Sequence, residues 1–153
     1  VMFLGYWNKP EDTQKKIKQG WLLTGDLGRQ DENGFFSFVA RDDDIITSSG
    51  YRIGPTEIEN CLMQHPSVSL AAVIGLPDPI RTEAVTACIV LTTGTGSDQL
   101  AENLKQLVRE KLSAHLMPRQ IIWRDDLPLT ATGKIRRKAL RESLLPETDS
   151  SLD

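Results

Sequence analysis

The clearest apolar pattern lies in the middle of the chain. Residues 68–76 (VSLAAVIGL) and 83–93 (EAVTACIVLTT) are apolar runs rich in β-branched side chains, and a Pro-Asp-Pro segment separates them. Runs of this length that are bounded by turn residues predict two buried strands. Residues 119–126 (RQIIWRDD) predict a third strand further along the chain.

Helical spacing marks the segment between the second and third of these strands. In residues 97–116, leucine and valine recur on one helical face behind Ser97 or Asp98, either of which can serve as the N-cap. A last helix is expected over residues 135–145. The polar residues 147–153 that follow it are expected to be disordered.

A β-hairpin is predicted nearer the amino end. The Asn-Gly pair in residues 32–41 (ENGFFSFVAR) suits a turn in which both central residues have positive φ, with the first strand lying within residues 21–30. Upstream of it, the pattern predicts a short polar helix that begins near Pro10 and ends at Gly20.

Residues 42–66 predict a second hairpin followed by a helix. A strand leads to a tight turn at Ser49-Gly50, and a short strand returns from it. The helix begins at Pro55, which suits the first helical position, and Pro66 ends it.

The order of these elements indicates the fold class. From residue 44 onward it is two strands, a helix, two strands, a helix, a strand and a helix. Strands and helices do not alternate regularly, so the order favours an α+β fold, in which helices cover a small sheet, over a doubly wound parallel sheet.

Composition narrows the class of protein. The 153 residues allow one domain or a little more, and the net charge of -3 argues against wholesale binding of nucleic acid or an anionic membrane. No apolar run approaches the roughly 18 residues of a membrane span. The two cysteines, Cys61 and Cys88, are too few for a disulfide scaffold and favour a reducing compartment. Because the first residue is Val1, we expect a piece of a longer protein.

One lysine stands out among the candidate functional residues. Lys134 follows a Thr-Gly pair in residues 127–140 (LPLTATGKIRRKAL), but the positions that a nucleotide P-loop needs hold proline and isoleucine. A glycine-flexed loop that runs into a helix N-terminus still suits an anion. Arg137, Lys138 and Arg141 share a helical face with Lys134. The residues alone leave open whether this face is solvated or binds phosphate or nucleic acid.

Three other stretches carry polar residues in turn-like settings. Asp26 follows a Thr-Gly turn, which is compatible with an Asx-type turn or with a carboxylate that accepts hydrogen bonds from a sugar diol. Three acids follow Arg41, an arrangement that simple charge pairing would also explain. Residues 48–54 (SSGYRIG) form either a plain turn or a small-residue loop past which a ligand chain can run, with Arg52 for a phosphate.

Metal sites and nucleophilic constellations are not predicted. The two histidines, His65 and His115, lie far apart in the sequence, as do the two cysteines, and no spacing suggests metal ligands. Both cysteines fall in apolar segments and are expected to be packed core residues.

Four stretches, taken in order, resemble motifs of the adenylate-forming superfamily, which includes acyl- and aryl-CoA synthetases, nonribosomal-peptide adenylation domains and luciferases. They are GYWNKPEDT (5–13), GWLLTGDLG (20–28), RDDDIITSSGYRIGPTEIE (41–59) and LPLTATGKIRRKAL (127–140). The resemblance covers nearly the whole chain and implies the carboxyl-terminal portion of such an enzyme. Residues 1–43 would then be the tail of the large amino-terminal domain, with a β-hairpin remnant. Residues 44–146 would be the small mobile domain, with a short β-hairpin and a three-stranded sheet packed by helices.

The resemblance implies a nucleotide site. Lys134 matches the adenylation lysine, which bridges the carboxylate of the acid and the α-phosphate region. Asp26 resembles the aspartate that holds the ribose hydroxyls of ATP and acyl-AMP, with Arg41 assisting, and Arg52 is placed for the nucleotide phosphate. The other cations of residues 136–141 would then form a solvated or docking helix face.

The resemblance also implies a hinge and a thiol tunnel. Asp43 matches the hinge between the two domains, and the acid beside it can move this assignment by one residue. Gly50 matches the residue that lines the thiol tunnel after the small domain rotates, and Ser49 flanks it. Arg109 falls where some acetyl-CoA-type members contact a phosphate of CoA.

The implied activity is that of an ATP-dependent carboxylic acid–CoA ligase, and residues 46–59 look most like short- to medium-chain acyl-CoA synthetases. The parent enzyme would use ATP, Mg²⁺, CoA and a small carboxylic acid. It would work in the cytoplasm or another reducing compartment, such as the mitochondrial matrix in a eukaryote. The fragment alone, without its large domain, is expected to be inactive.

Three alternatives stay open at this point. The first is a fragment of a peptide-synthetase adenylation domain. The second is a stand-alone module that binds phosphate or nucleic acid through the cationic face. The third is a structural partner that docks a large domain encoded by a separate gene.

Overall fold

The computed structural model describes residues 3–145, so the tail at 147–153, for which disorder is predicted, lies outside the described residues. The chain divides into two compact units, of which the first ends at Asp43 and the second begins at Asp44.

The first unit contains one short helix and two small hairpins. Its elements are α1 (Pro10–Lys16), β1 (Ile17–Lys18), β2 (Trp21–Leu22), β3 (Asp26–Gln30) and β4 (Phe36–Arg41). The predicted helix is too long. It ends at Lys16, because Gln19 and Gly20 take φ values of 52° and 81° and turn the chain back so that β2 pairs with β1.

The predicted hairpin over residues 32–41 is present, but its predicted turn is wrong. Strands β3 and β4 are antiparallel, and Gly34 has a φ of 86° while Asn33 does not take positive φ. The carboxylate of Asp31 accepts hydrogen bonds from the backbone N–H groups of Asn33 and Phe35, each at 2.9 Å. This aspartate fixes a longer turn, in which one residue rather than two needs the left-handed conformation.

The second unit holds the remaining elements. They are β5 (Ile46–Ser48), β6 (Tyr51–Ile53), α2 (Pro55–Leu62), β7 (Val68–Asp78), β8 (Thr82–Leu91), α3 (Asp98–Lys111), β9 (Gln120–Trp123) and α4 (Arg137–Glu142). The fold is α+β, as predicted.

The sheet of the second unit is built around β8. Strand β7 runs antiparallel to it from the Val68–Leu91 pair to the Asp78–Thr82 pair, so β7 extends further than predicted, into the Pro-Asp-Pro segment. Strand β9 lies parallel to β8. The β5–β6 hairpin joins the same sheet through a pairing of Ser48 with Thr82.

The core lies on both faces of this sheet. Alternate residues of β7 and β8, such as Val73 and Ile89, pack with α2 and α3, whereas their neighbours, such as Ala72 and Cys88, pack with Leu140 of α4. Successive side chains of a strand point to opposite faces. Burial on both faces explains why these two strands are continuous apolar runs instead of alternating ones.

The helices are shorter than their patterns predict. Ser97 caps α3 as expected, since its Oγ accepts a hydrogen bond of 3.2 Å from the N–H of Leu100, but this helix ends at Lys111. Helix α2 ends at Leu62, before His65 and Pro66. Helix α4 has six residues, because the chain before it forms a closed loop.

Candidate nucleotide and thiol site

Lys134 lies in a loop that is closed by hydrogen bonds around Thr130. The N–H of Thr130 donates to the carbonyl of Lys134 at 2.8 Å, and the N–H of Lys134 donates to Thr130 Oγ1 at 3.0 Å. Gly133, with a φ of 79°, makes the turn between them. An isolated bridge of Leu129 with Ile135 closes the base. The backbone of Lys134 is therefore held in one position although the loop is exposed.

The side chain of Lys134 is exposed, and its ammonium group makes no hydrogen bond or ion pair with any of residues 3–145. An ammonium group of this kind is a compact charge with three rotatable donors. The loop thus presents a positive charge that an external anion can reach.

The cationic face of α4 is only in part the solvated or docking surface that the resemblance implies, because two of its cations bind carboxylates of the same unit. Arg141 Nη2 lies 2.9 Å from Glu83 Oε1, and the Glu83 side chain is 13% exposed. The other oxygen of Glu83 accepts a hydrogen bond of 2.7 Å from the N–H of Thr47. Lys138 matches a solvated face closely, since its side chain is 90% exposed and its pair with Glu142 is long, at 3.9 Å.

Arg137 departs furthest from the prediction. Its Nε and Nη2 donate to the two oxygens of Glu59 at 3.2 and 2.7 Å, and its Nη1 donates to Asp44 Oδ2 at 2.8 Å. Glu59 is buried, and its Oε1 also accepts a hydrogen bond of 2.8 Å from the N–H of Val73. Burial disfavours the charge of Arg137, but the bonds and charges of Glu59 and Asp44 outweigh it and raise the pKa of the guanidinium.

Asp26 and Arg41 face each other in the first unit. They are paired in the register of β3 and β4, and Arg41 Nη1 lies 3.6 Å from Asp26 Oδ1. The N–H of Asp26 donates to Thr24 Oγ1 at 3.1 Å, which fixes the backbone at the start of the strand. Both side chains are nearly half exposed, so the Asp26 carboxylate is open to hydrogen bonds from an external ligand.

The link between the two units is a single helical turn, Asp42–Asp44. The N–H of Asp42 donates to the carbonyl of Gly25 in the first unit at 2.9 Å, whereas Asp44 is bound to Arg137 in the second. Between these anchors, Asp43 has a 74% exposed side chain that pairs with Arg41 at 3.2 Å. An exposed pair of this kind contributes little, about 1 kcal/mol or less, to holding the backbone.

The β5–β6 hairpin carries Ser49 and Gly50 at its tip, as predicted. They take φ values of 50° and 83°, and the N–H of Ser49 donates to the carbonyl of Arg81 at 2.9 Å. A Cβ placed at Gly50 would meet nothing within 4 Å, so glycine is required there by its φ and not by crowding.

An aromatic contact supports the same hairpin. The rings of Tyr51 and His115 are stacked at a centroid distance of 4.5 Å, and Ser113 Oγ lies 3.0 Å from His115 Nδ1. A cavity of about 260 Å³ lies beside this stack, and Arg119 is among the residues that line it. No sequence pattern pointed to His115, because a stacking partner leaves no periodic signal.

Arg52 and Arg109 are the two remaining predicted site residues. Arg52 is exposed on β6, opposite Thr47 in the register. Arg109 is exposed in the last turn of α3, and its side chain makes no hydrogen bond or ion pair with residues 3–145. The structure therefore joins Asp26, Arg41 and Asp43 by ion pairs but does not connect Arg109 to the hairpin.

Metal ligands and reactive thiols are not apparent in the described part of the chain. Residues 3–145 contain no cluster of three or more His, Cys, Asp or Glu side chains that could hold a metal ion, so we assign no ligand to Mg²⁺ here. Burial raises the pKa of the Cys88 thiol to about 11, and the charge of Arg124 offsets part of this effect. Burial also raises the pKa of Cys61, against the opposing charge of Lys111.

Sequence alignments with named proteins extend over most of the chain. It is 48% identical over 143 residues to the mitochondrial acyl-coenzyme A synthetase ACSM2 of Rattus norvegicus, with 92% of this chain and 25% of the relative aligned. It is 44% identical over 149 residues to the acetyl-coenzyme A synthetase of Bacillus subtilis (strain 168), with 95% and 26% aligned. The chain thus spans about a quarter of the length of these curated relatives.

Solved structures of similar fold belong to the same group of enzymes. ATP-bound MatB from Rhodopseudomonas palustris matches with a TM-score of 0.81 and 34% identity, over 92% of this chain and 28% of that one. The amide bond synthetase McbA from Marinactinospora thermotolerans matches with a TM-score of 0.79 and 37% identity, over 93% and 29%. The profile of the AMP-binding enzyme C-terminal domain matches residues 57–134. With the fold and these matches in agreement, the chain belongs to the AMP-binding enzyme C-terminal domain family of adenylate-forming enzymes.

Proposed function

We propose that this chain is the hinge and small mobile domain of an AMP-forming carboxylic acid–CoA ligase, whose large domain completes the site. The names of similar proteins support this proposal, since they are acyl- and acetyl-coenzyme A synthetases. Residues 1–43 would belong to the large domain and residues 44–146 to the small one, with Asp43 as the hinge. Its substrates would be ATP, with Mg²⁺, a small carboxylic acid and CoA.

In the first step of the proposed reaction, a carboxylate oxygen attacks the α-phosphorus of ATP and pyrophosphate leaves. Two anions must approach each other, so a cation placed between them offsets their repulsion. Lys134 would supply this charge, because its ammonium group is exposed on a rigid loop. Asp26 would accept the ribose hydroxyls, with Arg41 beside it and Arg52 near the phosphate.

In the second step, the CoA sulfur attacks the acyl carbon and AMP leaves. This step needs a path for the thiol and the removal of the lysine loop. The turn at Ser49 and Gly50 would border that path, because a residue without a side chain lets the pantetheine arm pass close to the backbone. Arg109 would contact a phosphate of CoA. Rotation at Asp43 would exchange the two faces of the small domain between the steps.

The single observation that carries this proposal is the contrast between Lys134 and two arginines of the same segment, Arg137 and Arg141. Arg137 and Arg141 are bound to carboxylates of their own unit, whereas the ammonium of Lys134 is held out by a closed loop without a partner in the described residues. This contrast also weakens the nucleic-acid alternative, which needs a continuous cationic face.

We expect Lys134→Ala in the full-length protein to lower the adenylation rate by about 10²–10³-fold, which is the usual effect of removing one preorganised charge. Thioester formation from supplied acyl-AMP and CoA should change little. ATP–pyrophosphate exchange and CoA acylation measure the two steps separately. Lys138→Ala, which removes an exposed charge of α4, is the matched control and should leave both steps intact. Equal losses in both steps would contradict the role of Lys134.

The 153 residues alone should not catalyse either step, because the proposed acid and triphosphate sites lie in the large domain. ATP–pyrophosphate exchange by the purified fragment, measured with the full-length protein as the positive control, tests this expectation. Exchange above the buffer background would contradict it.

The site of action and the partners follow from the same proposal. None of the helices within residues 3–145 has the length and apolarity that a bilayer crossing requires. The two cysteines are free and buried, which fits the reducing compartment that we propose. A peptide-synthetase adenylation domain is the second candidate in this family, and transfer to a carrier-protein thiol in place of CoA would distinguish it.

A further inference from the structure

We propose that Arg137 is a positioning residue for Lys134. Its guanidinium binds Asp44 and the buried carboxylate of Glu59, and its backbone continues from the loop that carries Lys134. The loop and Asp44 are thereby both attached to Glu59. The inference rests on the proposed role of Lys134 in adenylation. It assigns a function to a cation for which the resemblance implies only a solvated or docking helix face.

The first step of the argument concerns Glu59, which has a fixed position. It lies on α2 with a side chain that is 6% exposed, and Oε1 is bound by the N–H of Val73 in the central sheet at 2.8 Å. A carboxylate that is bound by a sheet backbone group cannot shift without breaking that bond. Glu59 is therefore a rigid point of attachment inside the second unit.

The second step concerns the geometry of Arg137. Two of its nitrogens bind the two oxygens of Glu59 as a fork, and the third binds Asp44 at 2.8 Å. Bidentate pairs of this kind fix orientation as well as distance. All three guanidinium nitrogens are used, and the Arg137 side chain is only 18% exposed. A lysine has one ammonium nitrogen and cannot reproduce this planar arrangement.

The third step connects Arg137 to the lysine loop. Arg137 is the first residue of α4 and follows Lys134 by three positions. The preceding N–H, that of Arg136, donates to the carbonyl of Pro128 at 2.8 Å, at the opposite end of the loop. On that side, Leu127 is buried in the core. Arg137 and Leu127 therefore fix the two ends of the loop, and the hydrogen bonds around Thr130 fix its interior.

The fourth step concerns Asp44, the first residue of the second unit. Arg137 attaches Asp44, which follows the proposed hinge, to the carboxylate of Glu59. It attaches the loop that carries Lys134 to the same carboxylate. In a rotation at Asp43, the loop that carries Lys134 would then move together with Asp44. Since misplacing a reacting group by about 1 Å can cost about 10²-fold in rate, such an attachment matters for adenylation.

The test compares Arg137→Lys with Lys134→Ala in the full-length protein. We expect Arg137→Lys to lower adenylation by about 10- to 100-fold, through kcat more than through the KM for ATP, and to change thioester formation from supplied acyl-AMP little. A purely structural loss would lower both steps alike. Lys138→Ala on the same helix is the control and should change neither step.

A double-mutant cycle makes the inference sharper. If Arg137 acts through Lys134, then Arg137→Lys should have no further effect on adenylation once Lys134 is alanine. Asp44→Ala is the second variant, because it removes one contact and leaves the buried Arg137–Glu59 pair intact. We expect it to fold and to show the same selectivity with a smaller loss of adenylation.

The outcomes separate this inference from the proposed function. A selective loss in Lys134→Ala, together with equal losses in both steps for Arg137→Lys and Asp44→Ala, would overturn the positioning role alone. Losses that multiply in the double mutant would overturn it as well. If Lys134→Ala itself lowers both steps equally, the proposed lysine role fails, and the positioning of that lysine fails with it.

Discussion

At the scale of single residues, Gly96 is the glycine of the second unit with the least room for a side chain. A Cβ placed there would overlap the indole of Trp123, which packs against the main core cluster. A rigid ring cannot move aside as the end of a flexible chain would. The absence of a side chain at Gly96 is therefore a packing requirement, and not a matter of φ.

We expect Gly96→Ala to destabilise the protein by about 1–3 kcal/mol, the usual cost of overfilling a packed site. For a chain of this size the melting temperature should fall by several degrees, which differential scanning calorimetry or tryptophan fluorescence will detect. Thr95→Ala changes the exposed neighbouring residue and should leave the melting temperature unchanged. An unchanged melting temperature in Gly96→Ala would show that Trp123 has room to move.

Residue-scale prediction from the sequence succeeded for local features and failed for distant pairs. The cap at Ser97 and the turn at Ser49 were predictable, because their partners lie within a few residues. The bond between Arg137 and Glu59 joins residues that are 78 positions apart, so spacing on one helix could not show it. The signal was present in α2, where Glu59 shares the apolar face and therefore requires a buried partner.

At the scale of elements, the sequence predicted which segments are strands and helices better than where they end. The two central strands were found because burial on both faces makes them continuous apolar runs. Their ends were misplaced because β7 and β8 pair through Pro77 and Asp78, where propensity disfavours a strand. There the pairing of two long strands outweighs local preference.

The hairpin turns show the same competition between local and longer-range contacts. The Asn-Gly pair predicts a two-residue turn, but Asp31 reaches across and binds two backbone N–H groups of a longer turn. A turn with positive φ at both central residues does occur at Gln19-Gly20, inside the segment predicted as helix. Side-chain capping of this kind depends on a residue outside the turn pair, so a dipeptide rule misses it.

At the scale of the whole molecule, the two units differ in how much core they contain. Ala40 is the one buried residue among residues 3–43, and several large apolar side chains there, including Trp7, Trp21 and Phe36, are more than three-quarters exposed. The second unit holds both core clusters. Since burial of apolar surface drives folding, the second unit has the means to fold by itself and the first does not.

We therefore expect a chain of residues 44–145 to unfold in urea in one cooperative transition and a peptide of residues 3–43 to show none. Cys61 and Cys88 report on this directly, because both thiols are buried in the second unit and burial raises the pKa of Cys88 to about 11. Thiol reagents attack the thiolate, so both cysteines should label slowly until the unit unfolds. The intact chain should give the same labelling midpoint as residues 44–145. Rapid labelling of the shorter chain without denaturant would show instead that the second unit depends on the residues before Asp44 for its stability.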